Sequence, residues 1–205
     1  ALLLRAVCGF GCVLMEWVYR KAMKLPSTSN DLSAAVTGML IAFCLPANFP
    51  IWMALVGCFF AIIVAKQLFG GIGKNFANPA IVARIVLLIA FPTQMTAFTP
   101  IQGQAARTIT DAISGATPLA LGARNVAVPY SHLFVGNVSG CLGETSVMLL
   151  LLGFLYLLLR RRITITTTLS FLGSVALFAW IAGADPLFHI LSGGVMLGAV
   201  FMATD

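Results

Sequence analysis

Thr145-Ser-Val-Met-Leu-Leu-Leu-Leu-Gly-Phe-Leu-Tyr-Leu-Leu-Leu159 carries no charge and stops at Arg160-Arg161-Arg162. An uninterrupted apolar run closed by cations reads as a helix in hydrocarbon whose end meets the water. The whole chain has the same character, with 60% hydrophobic and 9% charged residues, against roughly 25% charged residues in a soluble domain. Several comparable runs occur, and none shows the apolar/polar alternation of a barrel strand. The sequence therefore predicts an all-α integral membrane protein, a polytopic helical bundle.

Working outward, Ile163 to Ala182 is a further span with Thr164, Thr166, Thr167 and Thr168 near its start, and Pro186 to Met202 is a last apolar segment containing His189 and Gly193-Gly194. Towards the N-terminus, Pro79 to Phe91 is a helix that Pro92 stops, with Asn78 as N-cap, Pro79 at the first helical position and Arg84 in its body. Ile51 to Ala65 is a span closed by Lys66, and Ser33 to Leu45 is too short to cross alone. Leu2 to Tyr19 ends in an interfacial Trp17/Tyr19 pair; because it holds Arg5 and Glu16, it is either tilted or packed against protein. Asn30, Asp31 and Ser33 offer cap acceptors for the short helix. This gives about seven membrane segments, at least two of them short or broken. Residues 1–92 form a first group of helices, 93–144 a long polar loop and 145–205 a second group, all within one domain. The chain opens and closes on apolar runs, so it is expected to be a truncated piece lacking flanking spans, and no signal peptide is recognisable.

The net charge of +6 does not point to nucleic acid, because the basic residues stand at the ends of apolar segments. With the turn after the first span in the cytoplasm, strict alternation gives the cytoplasmic side Arg20, Lys21, Lys24, Lys66, Lys74, Arg160, Arg161 and Arg162. The long loop holds only Arg107 and Arg124. With the short segment Ser33 to Leu45 counted as crossing, that asymmetry places the loop outside. Cys8, Cys12, Cys44, Cys58 and Cys141 include no CxxC pair and read as small packing residues, so this chain supplies no iron–sulfur ligand set.

Gly70-Gly71-Ile72-Gly73-Lys74-Asn75 resembles a phosphate cradle but fails both the Walker A and the GxGxxG patterns, leaving a tight turn between helices. In the loop, Asp111-Ala-Ile-Ser114-Gly115-Ala116-Thr117-Pro118-Leu119 reads as a turn at Ser114-Gly115, an N-cap at Thr117 and a helix from Pro118. A phosphate on Thr117 would lie at a helix N-terminus, and Gly115 and Ala116 are small enough to admit a bulky group. Leu32-Ser-Ala-Ala-Val36 and Leu191-Ser-Gly-Gly-Val195 form a faint internal echo of the kind inverted repeats leave, and one that chance similarity of apolar helices also produces.

Asp111 to Thr117 is similar to the acceptor motif of flavin transferases, which attach FMN through its phosphate to the final threonine. Lys66 to Asn75, Phe76-Ala-Asn78-Pro79-Ala80, Gly143-Glu144-Thr-Ser146 and Phe201-Met-Ala-Thr-Asp205 surround it in a familiar order. Through nearly its whole length the chain resembles the RnfD family of Rnf electron-transport complexes, and more distantly the NqrB family of the sodium-pumping NADH:quinone reductase. The resemblance implies an inverted-repeat, urea-transporter-like fold in a bacterial or archaeal inner membrane. It also implies covalent FMN on Thr117 within the motif Asp111, Ser114, Gly115 and Ala116, and a second flavin such as riboflavin, placed near Asn75 and Asn78. The partners it implies are a flavin transferase, another covalent-FMN flavoprotein and iron–sulfur subunits.

Glu144, Asp31 and Asp205 are acids at the ends of membrane segments, where oxygen ligands suit Na⁺ or a proton relay; each equally suits a helix cap or an interfacial charge. No side chain is assigned as catalytic, since the redox chemistry would be the flavin's. The expected function is electron relay coupled to Na⁺ or H⁺ transport, of the ferredoxin:NAD⁺ oxidoreductase type. The alternative from another class is a passive small-solute channel or transporter without a redox role.

Overall fold

A computed structural model describes residues 2–26, 31–71, 73–75, 77–98, 117–119, 129–136 and 138–204. Every regular element among the described residues is helical. The chain divides into two compact units, Ala1–Ala97 and Phe98–Asp205.

The first unit is built on α1, Leu2–Ala22, whose buried residues Leu4, Cys8, Gly11, Cys12 and Glu16 recur at helical spacing and so form one face. That face receives α2, Ser33–Phe43, and α3, Ile51–Phe59. Small residues set how near they come. A Cβ on Gly38 would lie 2.4 Å from the carbonyl oxygen of Cys8, one on Gly11 2.9 Å from Leu55 Cδ2, and one on Gly57 2.6 Å from Leu87 Cδ1 of α4. All five cysteines are buried, as packing thiols should be. α3 runs on into a π-helical segment, Phe60–Gln67, and the chain turns at Gly70 and Gly71, whose φ values of 103° and 92° suit glycine. α4, Pro79–Ala90, begins as its sequence predicts: the Asn78 side chain accepts from the amides of Ala80 (2.9 Å) and Ile81 (3.4 Å). Pro92 ends α4 and opens one further turn, α5, Pro92–Met95.

The start of α2 departs from expectation. Leu32 stands at the cap with φ 53° and no side-chain cap bond, while the Ser33 hydroxyl accepts from Lys66 Nζ at 2.7 Å. A buried ammonium has a stronger need of that oxygen than an amide near the surface. Asn30 lies outside the described residues.

The second unit contains α6, Tyr130–Val135, within the stretch read as loop, then α7, Val147–Leu159, and α8, Ile165–Ile181. Ser146 caps α7 by accepting from Leu149 N. The last apolar stretch is broken: α9, Pro186–Leu191, gives way at Gly193 (φ 66°) to α10, Val195–Leu197, which continues as a π-helical segment, Gly198–Met202. Its core holds Val147, Ala179, Met196, Leu197, Ala199 and Val200. The Thr168 hydroxyl donates to Ala199 O at 3.3 Å, tying α8 to the last segment.

Outward faces are apolar too. Leu149, Leu152, Tyr156 and Leu159 on α7 and Leu169, Phe178, Trp180 and Ile181 on α8 are all exposed, as befits helices whose surroundings are lipid or other protein. Among the described helices α1 alone is long and apolar enough to cross a membrane; Ser33–Phe43, Ile51–Gln67, Pro79–Ala90, Val147–Leu159 and Ile165–Ile181 are apolar and shorter.

Candidate functional site

Thr117 stands immediately before helical Pro118 and Leu119, the position expected of it. It is half-buried, Pro118 is buried and Leu119 is exposed. The segment rests on the break between α9 and α10, where a Cβ on Gly193 would lie 3.2 Å from Leu119 Cδ1. A half-buried threonine leading into a proline-started turn, beside a glycine that leaves room for Leu119, suits a bulky phosphoester. The rest of the acceptor motif, Asp111, Ser114, Gly115 and Ala116, lies outside the described residues, as does Asp205.

The other end of α9 holds a polar cluster. The Tyr130 hydroxyl of α6 donates to Asp185 Oδ2, and Asp185 Oδ1 accepts from the amides of Leu187 (3.0 Å) and Phe188 (3.5 Å). These donors hold the Asp185 carboxyl below its ordinary range, and the carboxylate in turn raises the Tyr130 phenol. His189 Nδ1 lies 2.9 Å from Asp185 O; because a carbonyl only accepts, that nitrogen carries the proton. Leu119, beside Thr117, and Tyr130 of α6 thus meet the two ends of one short helix.

Glu144 precedes α7 and is buried, together with Ser139 and Cys141. Ser139 Oγ has no hydrogen-bond partner among the described residues. Gly136, at φ 101°, lets the backbone pass Thr145 and Ser146, where a Cβ would lie 2.8 Å from both Thr145 O and Ser146 Cβ.

In the first unit Asn75 and Asn78 share the turn before α4. Asn78 is used as the cap, whereas Asn75 Oδ1 is buried without a partner among the described residues. Such an orphaned acceptor fits a ligand N–H. Asp31 is exposed.

The sequence reading missed the most buried charged cluster. Glu16 of α1 and Lys66 of the π-helical segment meet at 3.5 Å, Gln67 Nε2 donates to Glu16 Oε1 at 2.7 Å, and Arg20 Nε lies 3.9 Å from the same oxygen. The available signal was Glu16 itself, an acid inside an apolar helix that needs a cation, and Lys66 closing a segment of similar depth. Among the described residues no group of three or more His, Cys, Asp or Glu is arranged to hold a metal.

Comparison with known proteins supplies the biological frame. The family model described as "NQR2, RnfD, RnfE family" matches residues 1–205. The RnfD-type subunit of the Na⁺-translocating ferredoxin:NAD⁺ oxidoreductase complex of Acetobacterium woodii is 46% identical, over 100% of this chain and 64% of its own length. Its counterpart in the proton-translocating ferredoxin:NAD⁺ oxidoreductase complex of Clostridium ljungdahlii is 35% identical, over 94% and 62%. The NqrB-type subunit of a Na⁺-translocating NADH-quinone reductase of Pseudomonas aeruginosa is 37% identical, over 83% and 45%. The chain therefore spans less than two thirds of the length of each of these relatives.

Proposed function

The chain belongs to the NQR2, RnfD, RnfE family of membrane proteins, and from that premise we propose that it is the subunit of an ion-translocating electron-transport complex that carries FMN on Thr117. The reaction is of the ferredoxin:NAD⁺ oxidoreductase type, after the names of its relatives in Acetobacterium woodii and Clostridium ljungdahlii. The observation that carries the reading is Thr117 itself: a half-buried threonine immediately before Pro118, whose neighbour Leu119 meets the helix break at Gly193, at the end of a sequence matching the flavin-acceptor motif.

FMN held there supplies electron transfer, and this chain's residues attach and orient it. Thr117 provides the ester oxygen, Pro118 presets the first helical φ, and the turn beginning there favours the phosphate's negative charge. The break at Gly193 accommodates Leu119, and Asp185 anchors the far arm of the loop through Tyr130. A second, noncovalent flavin such as riboflavin is assigned to the turn of Asn75 and Asn78, on the orphaned Asn75 oxygen. Glu144, Asp31 and Asp205 are the assigned carboxylates of a Na⁺ or H⁺ path, the buried Glu144 foremost.

The loop bearing Thr117 is assigned to the outer side of a bacterial or archaeal inner membrane, on the charge asymmetry, and the helices to a multi-pass, inverted-repeat, urea-transporter-like arrangement. A flavin transferase loads the loop; another covalent-FMN flavoprotein and iron–sulfur subunits complete the relay.

The test is a denaturing gel viewed under ultraviolet light after co-expression with a flavin transferase. A fluorescent wild-type band that is dark in Thr117→Ala supports the reading; a wild-type band without flavin overturns it and leaves the passive channel. For the ion path, full electron transfer with intact pumping in Glu144→Gln removes that residue.

A further inference from the structure

The turn Arg160-Arg161-Arg162 closes α7 with paired backbone bonds: Arg161 N donates to Leu158 O at 2.9 Å and Arg162 N to Leu157 O at 3.0 Å. This closure places Arg161 at the left-handed position beyond the helix end, φ 52°, which glycine ordinarily takes. The chain uses glycine there elsewhere. Gly183 (φ 72°) ends α8 with the same bond pair, Gly183 N to Trp180 O and Ala184 N to Ala179 O, and Gly70 (φ 103°) ends the first π-helical segment in the same way. After α1 the position is again cationic, with Lys24 at φ 54°. A strained backbone is thus retained at two helix ends where the side chain is basic.

All three arginines are exposed. Among the described residues none of the three makes an ion pair or a side-chain hydrogen bond. One short turn therefore carries three guanidinium groups, with about five N–H donors each. Beside the turn the surface is apolar: Leu159 is 74% exposed, Tyr156 60% and Ile165 45%. Cations at the edge of an exposed apolar surface match the chemistry of a phosphate headgroup above acyl chains.

We propose that Arg160, Arg161 and Arg162 form a binding site for the headgroup phosphate of an anionic phospholipid, with Leu159 and Tyr156 lying along its acyl chains. A topology signal needs only positive charge near the membrane; this site needs the guanidinium at Arg161 despite its backbone strain.

The test uses the full-length chain within its complex, in phosphatidylcholine discs containing phosphatidylglycerol as the minor lipid, with retained lipid counted by native mass spectrometry. Arg161→Gly is expected to raise the thermal midpoint in neutral detergent, because glycine relieves the left-handed strain. The same change lowers phosphatidylglycerol retention about fivefold, the strength of one basic side chain at an anionic surface. Arg160→Gln, Arg161→Gln and Arg162→Gln together reduce it about a hundredfold by the same reckoning. Retention unchanged in both variants overturns the proposal. So does displacement of the lipid by equimolar inorganic phosphate, which indicates a free-anion site, and so does unchanged lipid retention with loss of a partner protein from the triple variant, which indicates an acidic protein contact.

Discussion

Glu16 and Lys66, on α1 and on the π-helical segment that follows α3, pair at 3.5 Å with side chains only 4% and 3% exposed. The carboxylate is also held by Gln67 and the ammonium by Ser33, each at 2.7 Å. Removing one partner strands a buried charge, so Lys66→Met or Glu16→Gln alone is expected to destabilise the chain by about 3–5 kcal/mol. Replacing both with Met removes the charges together and is expected to cost less than either single change. Thermal unfolding in neutral detergent measures all three; a double variant as unstable as the sum of the singles would show that the two side chains act independently.

Gly38 and Gly9 provide a matched pair at the contact of α1 with α2. A methyl on Gly38 would lie 2.4 Å from Cys8 O, a backbone atom that cannot swing away, whereas nothing lies within 4 Å of one on Gly9. Gly38→Ala is expected to destabilise by at least about 1–3 kcal/mol. Gly9→Ala, mid-helix, is expected to stabilise by about 0.5–1 kcal/mol. Denaturant titration distinguishes them, and equal effects would mean that the helices separate freely.

Much of the helical layout was legible because apolar runs and their stops are local signals: Asn78-Pro79 starts α4 and Pro92 ends it, as read. Pairing was not legible. Glu16 and Lys66 lie fifty positions apart, and no periodicity encodes which cation meets which acid. A separation of 33 positions hid the displaced cap: Ser33 looked like a helix-capping residue, and its hydroxyl serves Lys66 instead. In the loop, Pro118 gave away a helix start, but only folding brings Leu119 to Gly193. The break at Gly193 left a trace in the Gly193-Gly194 pair, whereas α6, at six residues, is too short to separate from coil.

Tyr130 and Asp185 set a pH window. The phenol is raised above its ordinary value by the carboxylate, so its share of stability is complete below about pH 10 and falls as pH rises through the higher folded value. The Asp185 carboxyl is lowered, chiefly by the Tyr130 hydroxyl; its share is present above about pH 4 and is lost as pH falls through the lower folded value. The difference in thermal midpoint between wild type and Tyr130→Phe should be flat through neutral pH and shrink at both extremes. A difference that varies between about pH 5 and 8 would show that the Tyr130–Asp185 contact does not carry the effect.

Gly193 and Gly183 separate two reasons why a substitution could impair flavin loading. Both have left-handed φ, 66° and 72°, so alanine costs about 1–2 kcal/mol of backbone strain at either. Their surroundings differ: a Cβ on Gly193 would lie 3.2 Å from Leu119 Cδ1, and nothing lies within 4 Å of one on Gly183. Gly193→Ala therefore presses the Leu119 side chain, two residues after Thr117, by a few tenths of an ångström, whereas Gly183→Ala leaves that segment in place. Under co-expression with a flavin transferase, in-gel fluorescence per chain should fall several-fold in Gly193→Ala and stay near wild type in Gly183→Ala, with similar losses of thermal midpoint. Equal loss of flavin in both would mean that loading follows stability alone and that the helix break has no part in presenting Thr117.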